Sequence, residues 1–289
     1  MPAGIPVGFF KISMKKTLLL ILTFIILTKT DLVFGQVSIA PTTIFIDQNG
    51  IGSVFITNPG NSPQEINVSF IFGYPGNDDL GNLIMVYSDS IRAKQFGIDD
   101  RVRAFPRTFI LAPQQQQTVR LQVRPDRSLA AGTYFTRVKI TSNAQTTAVD
   151  EVPQEEVATR VSFKFDQVIA AFQKVGTVST GLEFEDISVV QSEGTLRVIP
   201  TFKTTGNSPF IGSVMATLKN VQNETIAEQG QTVALYFSGK RTVELKLPEN
   251  IASGDYTVTL VYETKRGDIP SSDLVQSQSI SKTIPVKLN

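Results

Sequence analysis

The sequence predicts an all-β chain: two tandem β-sandwiches behind an export signal. Three observations carry this. From Gln36 onward, apolar residues recur with a period of two rather than 3.6. Clusters of Gly, Pro, Asn and Asp cut that text into short strands. Residues 241–262 (RTVELKLPENIASGDYTVTLVY) repeat, in diluted form, residues 117–140 (QTVRLQVRPDRSLAAGTYFTRVKI).

The chain begins with targeting text. Lys15 and Lys16 precede TLLLILTFIILT, residues 17–28, which are largely apolar and too few to cross a bilayer comfortably. Gly35, with Val33 two positions earlier, offers cleavage before Gln36, and Met14 is a plausible start. Residues 1–35 are therefore expected to be a signal peptide, and the mature protein to be exported. After cleavage 23 basic and 25 acidic residues remain, a formal charge of −2.

Strands are then expected at residues 38–46, 52–58 and 64–72, each rich in β-branched or aromatic residues. The turns between them are Asp47 to Gly50 and Asn58-Pro59-Gly60-Asn61. Residues 88–104 fit either a short helix or a long loop. Residues 106–140 read strand, turn, strand, turn, strand, with the four glutamines Gln114 to Gln117 at a hairpin loop. Residues 141–160 are polar and acidic, the text of a long loop. In VSFKFDQ, residues 161–167, Val161, Phe163 and Phe165 alternate with Ser162, Lys164 and Asp166. Residues 174–181 (KVGTVSTG) fit a linker. Later strands are expected near 182–190, 195–204, 210–219, 225–228, 231–237, 241–247, 254–264 and 278–288. This spacing is that of immunoglobulin-like sandwiches. The expected division is a signal peptide at 1–35, an N-terminal domain at 36–175 and a C-terminal domain at 176–289. Tyr134 and Tyr256, each in a Gly-x-Tyr opening a strand, are expected to pin sandwich corners rather than do chemistry.

Composition narrows the function. The chain of 289 residues is 41% hydrophobic, enough for real cores, and its net charge of +1 gives no electrostatic footprint for nucleic acid or anionic membrane. It has no cysteine and no histidine. That excludes disulfides, thiol nucleophiles, Ser-His-Asp catalysis and His-ligated zinc. The acidic doublets Asp78-Asp79 and Asp99-Asp100 sit in loop text and read as solvated turns. No catalytic residue, metal ligand or cofactor is expected. Asn67-Val-Ser and Asn223-Glu-Thr fit the glycosylation pattern by chance.

Four stretches then follow in order: APTTIFID (residues 40–47), GSVFITNPGNSPQEI (52–66), PRTFILAPQQQQTVRLQV (106–123) and AGTYFTRVKI (131–140). Together they resemble the first domain of PapD-like periplasmic chaperones of pilus assembly. The resemblance covers most of residues 36–175 and is thin over 176–289. It implies a periplasmic protein that binds secreted fimbrial or surface-fibre subunits by donor-strand complementation, with an outer-membrane assembly factor as a further partner. It implies neither a nucleic-acid nor a small-molecule partner. The donated apolar residues would be Val161, Phe163 and Phe165, with Val157 as a fourth. Alternation alone leaves open whether that face is given to a client or packs into the chain's own sandwich. The family's paired cationic anchor, an Arg on the first strand and a Lys on the donated strand, falls here on Thr43 and near Ala170. Neither is charged. Thr43 and Lys174 are the remaining cleft candidates, with Lys164 and Arg160 as other cations within reach. A structural envelope or adhesin-associated protein built from the same modules, without chaperone activity, is the alternative reading.

Overall fold

The computed structural model describes residues 36–145 and 163–289. The expected signal peptide at 1–35, most of the expected loop at 141–160, and Val157, Arg160 and Val161 lie outside the described residues. Within residues 36–145 the strands are β1 (Ser38–Ala40), β2 (Thr43–Ile46), β3 (Ile51–Thr57), β4 (Gln64–Ile71), β5 (Tyr74–Asn77) and β6 (Leu83–Val86). A short helix α1 (Ser90–Phe96) follows, then β7 (Val102–Phe105), β8 (Thr108–Leu111), β9 (Gln116–Val123) and β10 (Gly132–Ala144). After the break come β11 (Lys164–Val175), β12 (Thr180–Ser192), β13 (Thr195–Gly206), β14 (Phe210–Asn220), β15 (Thr225–Leu235), β16 (Gly239–Lys240), β17 (Val243–Lys246), β18 (Gly254–Glu263) and β19 (Ile280–Leu288).

Two sandwiches result. In the first, the sheet β1-β3-β9-β7 faces the sheet β2-β11-β10-β4-β8. Alternation does the sorting: in β3 and β9 every second residue is buried. Val54, Ile56, Ile66, Val68, Val119, Leu121, Val138 and Ile140 are completely enclosed between the sheets. In the second sandwich, β13 pairs with β12 on one side and with β16 and β17 on the other, opposite the sheet β15-β14-β18-β19. Its core holds Leu196, Val198, Ala216, Leu218, Val243, Leu245, Val258, Leu260 and Tyr262. The described residues contain no helix long and apolar enough to cross a membrane.

Both expected corners are present and alike. Tyr134 Oη donates to the Ala130 carbonyl at 3.0 Å, and Tyr256 Oη to the Ala252 carbonyl at 2.8 Å. The ring is buried in each case while the hydroxyl ties down the chain four residues earlier. The internal repeat read from the sequence is thus a repeat of structure. Gln114 takes a positive φ of 58° at its turn and donates through Nε2 to the Pro59 carbonyl. Its own turn and that of Asn58-Pro59-Gly60 are thereby locked together.

Several expected elements differ. Residues 38–46 are not one strand: Pro41, with no N–H to donate, separates β1 in one sheet from β2 in the other. Residues 88–104 contain the helix, capped by Asp89, whose carboxylate accepts from the Arg92 N–H. The expected strands at 225–228 and 231–237 form a single strand that ends at Leu235, because Gly230 stays in register opposite Met215. The β5–β6 hairpin was invisible in the sequence. Its turn is closed by Asp78, whose carboxylate accepts from Leu80 N, Asn82 N and Asn82 Nδ2. These bonds, that of the Asn82 side chain above all, hold the Asp78 carboxyl below the usual range.

The hairpin tip reaches from the first sandwich to the second. Thr242 Oγ1 donates to the Leu80 carbonyl at 2.6 Å, Thr242 N to the Gly81 carbonyl at 2.9 Å, and Arg197 Nη2 to Asn82 Oδ1 at 2.8 Å. A third apolar cluster lies between the sandwiches: Phe72, Tyr74, Phe135, Ala170 and Phe172 meet Ile211, Tyr236, Ile269 and Leu274. This explains why β10 is buried on both faces from Gly132 to Val138. Its even positions face its own core, and Phe135 and Arg137 face the second sandwich.

Candidate functional site

The strand read as the donated one is β11. It pairs antiparallel with β10 along its whole length. On its other side, β2 runs parallel to it over only four residues, Thr43–Ile46 against 170–173. Residues 164–169 have no strand partner on that outer side among the described residues. Only a side chain crosses there, Gln167 Nε2 donating to the Val37 carbonyl at 2.7 Å. The backbone N–H and C=O groups of this stretch are an open template for a further strand.

The apolar residues of that stretch lie along one row. Ala171 is fully enclosed, Ile169 is 8% exposed, Phe165 is half-buried and Phe163 is 66% exposed. The Phe163 and Phe165 rings stack, with centroids 6.3 Å apart. The face whose assignment the sequence left open therefore divides: core at Ile169 and Ala171, solvent at Phe163. The opposite face carries Lys164, Asp166 and Val168. Thr141 Oγ1 donates to Asp166 Oδ1 at 2.5 Å, and Lys139 Nζ lies 3.4 Å from Oδ2. The Thr141 hydroxyl, with Lys139 beside it, holds the Asp166 carboxyl below the ordinary value.

The second candidate region is the crevice between the sandwiches. Register places Thr43 opposite Ala170, and Ala170 opposite Arg137, so these three form one row across β2, β11 and β10. The two positions where the family pattern puts its charges are thus neighbours here, and both are neutral. The adjoining row is Phe45, Phe172 and Phe135. Phe45 and Phe172 stack at 5.5 Å, and Phe135 meets Tyr236 edge-on at 4.6 Å. Lys174 Nζ sits 5.9 Å from the Phe45 ring centre and donates to the Asp273 carbonyl at 3.1 Å.

Arg137 is the residue that sequence reading missed. It is 8% exposed, a cation enclosed among aromatic rings. Nε donates to the Gly73 carbonyl at 3.0 Å and Nη2 to Tyr236 Oη at 3.2 Å. Burial pushes the Tyr236 phenol up to about 12, against the pull of the guanidinium, so it stays neutral at ordinary pH. A single Arg inside the apolar run TYFTRVKI was the available signal. A second guanidinium, that of Arg92, lies over the Phe237 ring at 3.8 Å, but it has its carboxylate, that of Asp89 at 3.6 Å.

No protein-family model matches the sequence, and no curated protein matches it. Solved structures do resemble it. The complex of SafA pilin with the SafB chaperone from Salmonella enterica is 15% identical, with a TM-score of 0.39 over 86% of this chain and 96% of that one. The YadV chaperone is 12% identical, with a TM-score of 0.43 over 87% and 99%. The CsuC–CsuE chaperone–tip adhesion subunit pre-assembly complex of Acinetobacter baumannii is 13% identical, with a TM-score of 0.40 over 85% and 97%. All three contain chaperones. Two are complexes, one with a pilin and one with a tip subunit.

Proposed function

We propose that this protein is an exported, periplasmic chaperone that caps secreted fibre subunits by lending them residues 163–169 as a strand. The observation that carries the reading is the half-covered β11. Its inner edge is fixed by β10 and its later residues by β2, and among the described residues its first six present a free edge beside exposed Phe163 and half-buried Phe165. An incomplete sandwich lacking one strand would gain backbone hydrogen bonds from that edge and bury Phe163 and Phe165 in its own core. Burying two such rings fully is worth about 3–6 kcal/mol before ordering costs are subtracted. That range holds a subunit while leaving exchange for another strand accessible. Val157 and Val161 would extend the same apolar row. The working division is a leader at 1–35, the strand-lending domain at 36–175 and a bracing domain at 176–289.

The test is a photocrosslinker at position 163 of the protein in its native periplasm. Crosslinking to a small secreted protein with an incomplete sandwich is expected, and Phe163→Asp with Phe165→Asp should abolish it. A double variant that folds and still captures the same protein overturns the reading.

A further inference from the structure

Inward positions of a sandwich strand are ordinarily apolar, and a polar residue kept there calls for a reason. One edge of the second sandwich keeps three. The strands β15 and β17 belong to opposite sheets and do not pair with each other. Gln229 and Gln231 lie across from Ala216 and Val214 on β14, both buried in the core, so the two amides stand on the inward face. Arg241 precedes buried Val243 by two residues, and its guanidinium comes near the enclosed Tyr262 phenol. Apolar side chains at these positions would close the edge. Instead it opens into a cavity of about 410 Å³, with residues 81–83 of the hairpin tip in its wall.

The charges of this cavity do not cancel. Arg241 is half-buried, with no side-chain hydrogen bond and no carboxylate within 4.0 Å among the described residues. Burial holds its guanidinium below the ordinary value, as expected of a cation that has given up water without gaining an anion. Glu244 in the lining is already taken. Its carboxylate lies 3.1 Å from Arg197 Nε, an ion pair though not an aligned hydrogen bond. Lys246 also lines the cavity and has no acid within 4.0 Å among the described residues. Two cations thus share one opening without a counter-charge of their own.

The rest of the lining is largely hydroxyl and amide, including Thr195 across from Lys246 and the two glutamines. A planar guanidinium matches an oxyanion, and amides and hydroxyls match the hydroxyl groups of a body that carries one. The volume lies in the range of small-molecule sites. We infer that this opening binds a small hydroxylated anion, of about the size of one sugar ring and bearing a phosphoryl or carboxyl group, seated on Arg241 and Lys246. The inference stands apart from strand lending, since no residue of the cavity belongs to β11.

The experiment follows the Arg241 Nε–H resonance and the Gln231 side-chain amide of the intact protein by NMR. The probes are inorganic phosphate, glucuronate and glucose, each titrated at constant ionic strength in chloride. A saturable shift with phosphate, with glucuronate or with both is expected, and none with glucose; the probe that acts identifies the anionic group. Shifts that never saturate, equal shifts with glucose, or no shift with any probe overturn the inference. Arg241→Gln should weaken binding of the active probe about ten-fold or more, the loss of a charge-assisted contact, with Arg241→Lys between that variant and the parent. The shift of the Gln231 amide reports binding in these variants. A folded Arg241→Gln protein that binds as the parent does sinks the site. If Arg241→Gln does not fold, Lys246→Gln, at an exposed position, takes its place. Weaker binding by that variant supports the site, and unaltered binding overturns it.

Discussion

Two tyrosines on the same strand should respond in opposite senses to the same substitution. Tyr256 and Tyr262 both lie on β18 with buried rings. The Tyr256 hydroxyl donates to the Ala252 carbonyl at 2.8 Å. The Tyr262 hydroxyl is fully enclosed, against Phe184 and Phe210, and has no partner among the described residues. Burial pushes the Tyr262 phenol upward even with Arg241 near. Tyr256→Phe removes a made hydrogen bond and leaves a carbonyl short of a donor, a loss of about 0.5–1.5 kcal/mol. Tyr262→Phe removes a polar group that was stripped of water without return, so it should be neutral or stabilising by about 1 kcal/mol. The expected gap between the variants is roughly 0.5–2.5 kcal/mol. Urea unfolding at unchanged slope reads it as a lower midpoint for one and an equal or higher midpoint for the other. A Tyr262→Phe protein that loses 1 kcal/mol or more would show that this hydroxyl has a partner, and the packing argument for the second core would fail.

Two further outcomes follow from the same geometry. The folded-state carboxyl of Asp166 is depressed, so its contribution is present above the ordinary carboxyl range and lost as pH falls through the depressed value. Asp166→Asn should therefore flatten the acid limb of the stability–pH curve, by a small amount because the side chain is 45% exposed; an unchanged acid limb refutes this. Thr242→Val removes the hydroxyl that holds the hairpin tip through the Leu80 carbonyl. It should cost about 1 kcal/mol and speed hydrogen exchange at the Leu80 and Asn82 amides, whereas unchanged exchange would mean that the remaining Thr242 N–H bond suffices.

What the sequence made legible was whatever period and turn chemistry encode locally. Alternation in 52–58 and 64–72 placed β3 and β4 within a residue or two, whereas β9 takes in Gln116 and Gln117, which were expected in the hairpin loop. The Gly-x-Tyr repeat located both corners. The failures were of two kinds. Breaks and joins that depend on register were misread: β15 keeps its pairing through Gly230, and the strand at 38–46 splits because its halves belong to different sheets. Features that exist only between distant segments were not seen at all. The β5–β6 hairpin is stabilised by Thr242 and Arg197, more than a hundred residues away. Arg137 looked like one polar residue in a strand, because its significance depends on Tyr236, ninety-nine positions later. The candidate strand was found from its alternation, but which part of it is core required the neighbouring strands.

The two welds between the sandwiches bear on how a strand could be lent at little cost. Extended segments that must order on binding lose much of their interaction energy to that ordering. Here β11 is already extended, paired with β10 from Lys164 to Val175. Its far end is clamped by β2 and by the aromatic cluster, and that cluster is itself braced by the hairpin tip on the second sandwich. The second sandwich thus stiffens the far end of β11, while the other end has no strand on its outer side among the described residues. Along one row, burial falls from Ala171 and Ile169 to Phe165 and then Phe163. The row that completes this protein's own core at Ala171 and Ile169 passes Gln167 and continues outward to Phe165 and Phe163. A rigid strand with such a gradient offers an incoming partner a template whose conformational entropy has already been spent in folding, and its affinity is set by how far along the row the partner reaches.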